Sequence, residues 1–268
     1  MDSEEGDMTG RPGRLQGRRA VITGAGSGIG AAIARGYAAE GAHVLLADLD
    51  GDAAGAVVAQ IVATGGTAHA FCADVADETS VHALFGHADD VLGGVDVLVN
   101  AAGVLRRQAF LEVDEHSWDL TMRVNALGPL LCTQQAARRF IAQGAATRGA
   151  GKIVNICSTS SRQPTGDFAA YAASKAALLS LTQSTAKGLA PHGITVNGIG
   201  PGIVDTPLWR ADALTLADRS LEDYTSKIPL GRLSEPEDVV PTAVLLASDD
   251  SDYMTGQLLM VDGGMVMT

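Results

Sequence analysis

The chain has 268 residues, 46% of them hydrophobic, and a formal net charge of −12 at pH 7. This length fits one large α/β domain, and the negative charge argues against nucleic acid and anionic membranes as partners. No apolar run reaches the ~18 residues of a membrane span. Because the acidic residues 1–14 lack the features of a signal peptide, we expect a disordered tail there and a cytoplasmic protein.

The cysteines and histidines show no disulfide or metal-binding pattern. Cys72, Cys132 and Cys157 are odd in number and widely spaced, which is typical of a protein from a reducing compartment. We interpret Cys157 as a buried structural thiol, although it directly precedes Ser158. The six histidines have no ligand spacing, so the sequence predicts no metal site.

Apolar runs alternate with helix-length segments along the whole chain. The runs predict seven strands, at 19–24, 43–48, 67–74, 95–100, 152–158, 194–200 and 257–264. The predicted helices include a stretch that ends at residue 40 and the segments 51–64, 78–92, 118–143 and 168–189. Most of the runs do not alternate with polar residues, which indicates strands buried on both faces. We therefore predict one α/β domain over 15–268, a doubly wound seven-stranded parallel sheet with helices on both faces.

The first strand leads into a glycine-rich turn, TGAGSGIG, at residues 23–30. Gly24, Gly28 and Gly30 would let the backbone turn sharply and approach a diphosphate at the N-terminus of the next helix. A tight turn without a ligand has the same composition. Its position between a strand and a helix favours the anion-binding interpretation.

Asp48 ends the second strand, 18 residues after Gly30. A carboxylate there can accept both hydroxyls of an adenosine ribose and would repel a 2′-phosphate. Because no cation stands in the glycine turn or directly after Asp48, we predict NAD rather than NADP. The alternative is that Asp48 or Asp50 merely caps the helix that starts at Gly51.

Three further stretches lie near the predicted carboxyl ends of strands, where open α/β sheets bind ligands. Asp74 and Val75 could contact an adenine, although an N-terminal helix turn would look the same. The NAAG run at 100–103 could lie against a cofactor or only pack. After the sixth strand, we expect residues 203–230 to form a substrate lid, in which Thr206 could hydrogen-bond an amide; a surface helix pair is the alternative.

Residues 158–175, STSSRQPTGDFAAYAASK, offer a hydroxyl at Ser158, a phenol at Tyr171 and an ammonium at Lys175. On a helix, Tyr171 and Lys175 stand one turn apart on the same face. The cation would lower the tyrosine pKa from ~10, which makes the phenol a usable acid or base. Tyr-x-x-x-Lys alone also fits an ordinary helix.

Asn125 lies inside a predicted helix, where asparagine is locally unfavourable. It indicates either a functional role or a kink stabilised by a bound water.

Taken together, TGAGSGIG, NAAG, Asn125, Ser158, YAASK and PGIVDT resemble the short-chain dehydrogenase/reductase family. The resemblance runs from about residue 14 to the end and departs from the family in NAAG, where NNAG is commonest. It implies a Rossmann fold with Tyr171 as acid/base, Ser158 holding the substrate oxygen and Asn125 anchoring a water in a proton relay. Lys175 would lower the tyrosine pKa and bind the nicotinamide ribose.

The resemblance also implies a homotetramer, with the Tyr171 and Asn125 helices at one interface and the C-terminus at another. The expected cofactor-binding residues are Gly24, Ser27, Gly28, Ile29, Gly30, Asp48, Asp74, Val75, Asn100, Ala101, Gly103, Tyr171, Lys175, Pro201, Gly202, Ile203 and Thr206.

The motifs VDTPLW, PLGR and VDGG in the last third of the chain resemble bacterial polyol and sugar-alcohol dehydrogenases. We therefore expect an NAD-dependent oxidoreductase acting on the CH–OH group of a polyol or small hydroxy compound. One alternative is a 3-oxoacyl-carrier-protein reductase. Asp48 and the net charge count against it, unless arginines 106–107 or 138–139 form a basic docking patch. A nucleotide-sensing protein without catalysis is a further alternative, which the Tyr171–Lys175 pair disfavours.

Overall fold

The structure is a computed structural model that describes residues 13–145, 151–213 and 220–267. Its strands are β1 (Arg19–Thr23), β2 (His43–Asp48), β3 (Thr67–Cys72), β4 (Val97–Asn100), β5 (Lys152–Ile156), β6 (Thr195–Pro201) and β7 (Leu258–Val261). They form one parallel sheet of seven strands in the order β3-β2-β1-β4-β5-β6-β7. The predicted fold is therefore confirmed.

Helices cover both faces of the sheet. They are α1 (Gly28–Ala39), α2 (Gly51–Ala63), α3 (Glu78–Leu92), α4 (Glu115–Met122), α5 (Gly128–Ala142), α6 (Ala169–Leu189), α7 (Pro207–Ala213), α8 (Leu221–Thr225) and α9 (Pro236–Ala247). Among the described residues, no helix is long and apolar enough to cross a membrane.

Neighbouring residues of a single strand pack into opposite layers of the core. Val21 and Leu45 belong to the layer that contains Phe85 of α3, whereas Ile22 and Leu46 belong to the opposite layer, with side chains of α1 and α9. All four strand residues are fully buried. Because each face of the sheet is covered, the strands have no polar face and their sequences do not alternate.

Five strands are shorter than predicted, namely β1, β3, β4, β5 and β7, and local turns account for the ends of three of them. After β3, the Ala73 N–H donates to the Asp48 carbonyl and the chain turns away. After β7, the Asp262 carboxylate accepts from the N–H groups of Gly264 and Val266 and forms a turn. β5 also ends two residues early, at Ile156, where the next residues start a 3₁₀ turn.

The predicted helix over 118–143 is two helices joined by a π-helical turn, Arg123–Leu127. α4 begins at Glu115, earlier than predicted, because the Asp114 carboxylate accepts a hydrogen bond of 2.7 Å from the Ser117 N–H. This π turn contains Asn125 and is the local irregularity that a mid-helix asparagine suggested.

The predicted tail lies outside the described residues except for its last two positions. There the prediction is wrong, since Arg14 is held in place. Its backbone N–H donates to the Glu40 carboxylate at 2.7 Å, and its guanidinium pairs with Asp250 at 2.6 Å. Residues 214–219 of the predicted lid also lie outside the described part of the chain.

The order of the strands reverses between β1 and β4, which are neighbours in the sheet although β2 and β3 separate them in sequence. In an open parallel sheet, the loops beyond the carboxyl ends of two such strands diverge to opposite faces and leave a crevice. The crevice is where the site described next lies.

Candidate active site

A cleft of about 720 Å³ lies at the carboxyl ends of the strands. It brings together the glycine turn after β1, the ends of β2 to β6, the start of α6 and the segment after β6. All the predicted cofactor-binding residues line this cleft except Asn100. Ser158, Tyr171 and Lys175 line it as well, whereas Asn125 lies behind its wall.

The glycine turn has the geometry that a diphosphate requires. Gly24 and Gly28 have φ angles of 64° and 52°, in the left-handed region that favours glycine. A Cβ on Gly30 would lie only 2.1 Å from the Gly24 carbonyl oxygen. Among the described residues no side chain caps α1, and its first turn has no acidic residue. An anion therefore fits at this helix N-terminus.

Asp48 faces the cleft with its carboxylate fixed from two sides. Its Oδ2 accepts from the Gly26 N–H at 2.8 Å, and its Oδ1 accepts from the Asp50 N–H at 3.0 Å. The carboxylate that caps α2 is that of Asp50, which accepts from the Ala53 N–H at 3.0 Å. Capping thus explains Asp50, and Asp48 remains the candidate for the ribose hydroxyls.

The neighbouring wall is formed by Asp74 and Val75. The Asp74 carboxylate accepts from the Ala76 N–H at 2.8 Å, in a turn of its own. The cap of α3 is a different residue, Asp77, which accepts from the Ser80 N–H at 2.8 Å. Asp74 therefore forms the turn before α3, as the alternative predicts, and Asp74 and Val75 also line the cleft.

Asn100 is the predicted cofactor-binding residue that the structure does not bring to the cleft. Its side chain is buried, and its amide donates to Asn155 Oδ1 at 2.8 Å and to Thr133 Oγ1 at 3.3 Å. It ties β4 to β5 and α5 inside the molecule. The side chain therefore has a structural role, and a cofactor contact through the backbone at Asn100 stays a prediction.

Tyr171 and Lys175 stand one turn apart on α6, with the Lys175 Nζ 5.7 Å from the centre of the tyrosine ring. Burial lowers the pKa of Lys175 to about 8, and its Nζ donates to the Ile156 carbonyl at 2.8 Å. Burial raises the pKa of Tyr171, and a hydrogen bond with Ser158 opposes that shift only in part. The sequence predicts a lowered pKa for Tyr171; its net shift is instead upward, because desolvation is the largest influence.

Asn125 is fully buried in the π turn and bonds in two directions. Its Oδ1 accepts from the Val104 N–H at 2.8 Å, and its Nδ2 donates to the Val104 carbonyl at 2.9 Å. The same Nδ2 donates to Ser174 Oγ at 3.0 Å, on the helix of Tyr171. Asn125 thus connects the segment after β4 with α6.

Gly103 leaves the space between Asn125 and Lys175 open. A Cβ added to Gly103 would lie 3.4 Å from Asn125 Oδ1 and 3.7 Å from Lys175 Nζ. Because residue 103 has no side chain, nothing at this position stands between the Asn125 Oδ1 and the Lys175 Nζ.

Part of the cleft beyond Tyr171 is formed by residues that the sequence patterns did not indicate. Arg107 lines it and was considered only as part of a basic patch; Phe168 packs edge-on against Tyr171, with ring centres 6.3 Å apart. In the described part of the predicted lid, Trp209 and Tyr224 line the cleft and contact each other edge to face at 5.3 Å. Both residues belong to the segment that the sequence predicts to be a substrate lid.

A hydroxyl, a phenol and an ammonium in one cleft can bind an alcohol or carbonyl oxygen and move a proton to or from it.

A family model described as Enoyl-(Acyl carrier protein) reductase matches residues 24–266. A sorbitol dehydrogenase from Cereibacter sphaeroides is 38% identical over 94% of this chain and 98% of its own. A mouse (3R)-3-hydroxyacyl-CoA dehydrogenase is 37% identical, over 95% of this chain and 98% of its own.

A solved structure from Beutenbergia cavernae, proposed to be an NAD(P)-dependent gluconate 5-dehydrogenase and holding NADP at low occupancy, is 41% identical to this chain. It covers 95% of this chain and 99% of its own, with a TM-score of 0.87. With the family model and the relatives, this likeness shows that the chain belongs to the short-chain dehydrogenase/reductase family and is an oxidoreductase that acts on secondary alcohols.

Proposed function

We propose that the protein transfers a hydride between NAD(H) and a secondary alcohol or its ketone, with Tyr171 as the acid/base. The observation that carries this proposal is that Ser158, Tyr171 and Lys175 share one cleft with the glycine turn and Asp48. Ser158 fixes the substrate oxygen, and Tyr171 takes the hydroxyl proton in oxidation and returns it in reduction. NAD, when bound, supplies the hydride acceptor.

The cleft fits a dinucleotide along its length. The turn at Gly24 to Gly30 suits the diphosphate, Asp48 the adenosine ribose, and Asp74 with Val75 the adenine. On this proposal Lys175 binds the nicotinamide ribose, and a proton relay passes through the gap at Gly103 toward Asn125. The remaining cofactor contacts come from Ser27, Ile29, Ala101, Pro201, Gly202, Ile203 and Thr206.

NAD rather than NADP is favoured by charge. The Asp48 carboxylate lines the cleft and would face a 2′-phosphate, and its two backbone hydrogen bonds keep it there.

The substrate we propose is a polyol or a small hydroxy compound, since the sorbitol dehydrogenase covers nearly the whole chain.

The test is NADH or NADPH formation, followed by absorbance, with a panel of polyols, simple secondary alcohols, hydroxy acids and hydroxyacyl thioesters. Tyr171→Phe should lower turnover by at least about 100-fold and still bind NAD, because it removes the proton-transfer group alone. Tyr253→Phe, which changes an exposed tyrosine outside the cleft, is the matched control. Full activity of Tyr171→Phe would contradict the proposal.

A second candidate is the reduction of 3-oxoacyl thioesters, which the description of the family model and the hydroxyacyl-CoA relative favour. The arginines considered for a carrier-protein patch argue against that substrate. Arg139 donates to Asp89 at 2.7 Å, and Arg107 lines the cleft with a side chain that is only 12% exposed, so neither contributes to an open basic surface. Turnover confined to acyl thioesters with NADPH would favour this candidate over the first.

For assembly and compartment, we propose a homotetramer in the cytoplasm. Large apolar side chains are exposed at both expected interfaces: Trp118 and Ile141 on α4 and α5, and Tyr253 and Met267 near the C-terminus. All three cysteines are free thiols, which suits a reducing compartment.

A further inference from the structure

The cleft beyond Tyr171 is mainly apolar. Its walls include Val104, Leu105, Leu120, Val124, Leu208 and Trp209. The hydroxyls of Ser158, Thr159 and Ser160 follow β5, and the lid adds the phenol of Tyr224. A substrate with hydroxyls along its whole length would place several of them against apolar walls, where a polar group without a partner is costly. The lining therefore favours a substrate with fewer hydroxyls than a simple polyol.

One charged group stands in this part of the cleft. Of the described residues that line the cleft, four are charged: Asp48, Asp74, Lys175 and Arg107. The two aspartates lie at the ends of β2 and β3, and Lys175 lies at the reacting group. Arg107 is the remaining one, and its side chain is 12% exposed.

Arg107 is connected to the phenol of Tyr171 through the ring of Phe168, which lies between them in a chain of contacts. Its guanidinium lies over the ring of Phe168, 5.8 Å from the ring centre, and Phe168 contacts Tyr171 edge-on. A substrate that presents its hydroxyl to Tyr171 can thus extend along Phe168 toward the guanidinium.

Arg107 also pairs with Asp167, with the Nε 3.1 Å from Oδ2. This pair does not commit the guanidinium to a structural role. The Asp167 side chain is 44% exposed, so water screens its charge within the pair. The two segments are also joined by a backbone hydrogen bond of 3.0 Å from the Gln108 N–H to the Asp167 carbonyl. A guanidinium presents five donors in a fork, so a second carboxylate can share it.

We propose that Arg107 binds a carboxylate of the substrate, so that the protein selects hydroxy acids, or the matching oxo acids, over neutral alcohols. This inference rests on the proposed function for the position of the reacting hydroxyl. It narrows that function: of the polyols and small hydroxy compounds proposed above, it selects a largely apolar hydroxy compound with one anionic end.

The test compares hydroxy acids of increasing chain length with their neutral amides. For wild type, Arg107→Gln and Arg107→Lys, both KM and calorimetric binding in the presence of NADH are measured. Arg106→Gln is the matched control, because Arg106 is the exposed neighbour that does not line the cleft. Asp167→Asn removes the competing carboxylate and keeps the guanidinium.

We expect Arg107→Gln to raise the ratio of acid KM to amide KM by about 10- to 100-fold, the effect of one charge-assisted pair. Arg107→Lys should lie in between, since a lysine cannot bind in the bidentate manner. Asp167→Asn should keep or strengthen the preference for acids, and Arg106→Gln should match wild type.

Two results would overturn the inference. The first is equal binding of acid and amide by the wild type. The second is a loss of affinity in Arg107→Gln and Asp167→Asn that is the same for acid and amide, because that result would mean that the pair only holds the two segments together. If acids bind through Arg107 and no alcohol is oxidised, the inference stands and the proposed function fails.

Discussion

Tyr171 experiences opposing influences on its ionisation. Its buried position raises the pKa, and the hydrogen bond with Ser158 acts in the other direction. The neutral phenol therefore dominates near neutral pH, which suits the proton donor of ketone reduction. Alcohol oxidation needs the phenolate, which forms only at higher pH.

The two directions should respond differently to pH. The kcat/KM for alcohol oxidation should rise as the pH increases above neutrality, since the phenolate fraction rises. The kcat/KM for ketone reduction should stay level there and fall only as the pH approaches the raised pKa of Tyr171, because the neutral phenol dominates until then. Steady-state rates in both directions across a pH series measure this, and an oxidation rate that decreases from neutral to alkaline pH would contradict the role of Tyr171.

Asp48 should determine the choice of cofactor. Asp48→Ser removes the hydrogen bonds to the ribose and the repulsion of a 2′-phosphate, so the ratio of kcat/KM for NAD to that for NADP should fall by about 10- to 100-fold. The measurement is initial rates with each cofactor. Asp52→Ser, on α2 and outside the cleft, is the control. An unchanged ratio in Asp48→Ser would remove the argument for NAD.

At the scale of elements, the π turn between α4 and α5 determines where Asn125 points. A π turn contains one residue more than an α-helical turn. Without it, the side chains after the turn would point in a different direction around the helix axis. The turn instead directs the amide of Asn125 at the backbone of Val104 and at Ser174. Helix and loop are thereby fixed relative to Tyr171.

Asn125→Ala should therefore reduce both stability and catalysis. Loss of buried hydrogen bonds should lower the free energy of unfolding by about 1–3 kcal/mol. Asn197→Ala is the matched control: Asn197 is equally buried, donates to the Met254 carbonyl and accepts from the Gln257 N–H, but does not line the cleft.

Chemical denaturation and kcat together separate the two roles. We expect a similar stability loss in both variants and a fall in kcat in Asn125→Ala only. An equal fall in kcat in both would mean that Asn125 acts through stability alone.

For the whole molecule, assembly is the property to be measured. Light scattering after size exclusion should give about four times the 27.5 kDa of one chain. Tyr253→Glu should dissociate the C-terminal interface, because it places a charge where an apolar side chain is expected to be buried. Val62→Glu, on the exposed side of α2, should leave the mass unchanged. A wild-type protein of one-chain mass would contradict the tetramer.

Much of the architecture could be predicted because it depends on local patterns. Buried strands and the glycine turn depend on residue types that are adjacent in sequence, and the parallel sheet follows from their alternation with helices. The orientation of Asn100 and the place of Arg107 depend on packing between distant segments. Likewise, the pKa of Tyr171 depends on burial, which the spacing to Lys175 does not reveal.

Burial lowers the pKa of Lys175 to about 8, which changes the reactivity of its amine. An amine with that pKa is partly uncharged in neutral solution, and an uncharged amine is a nucleophile. Because Lys175 lines the cleft and is only 5% exposed, a bound dinucleotide would cover this amine and keep other carbonyl compounds away from it.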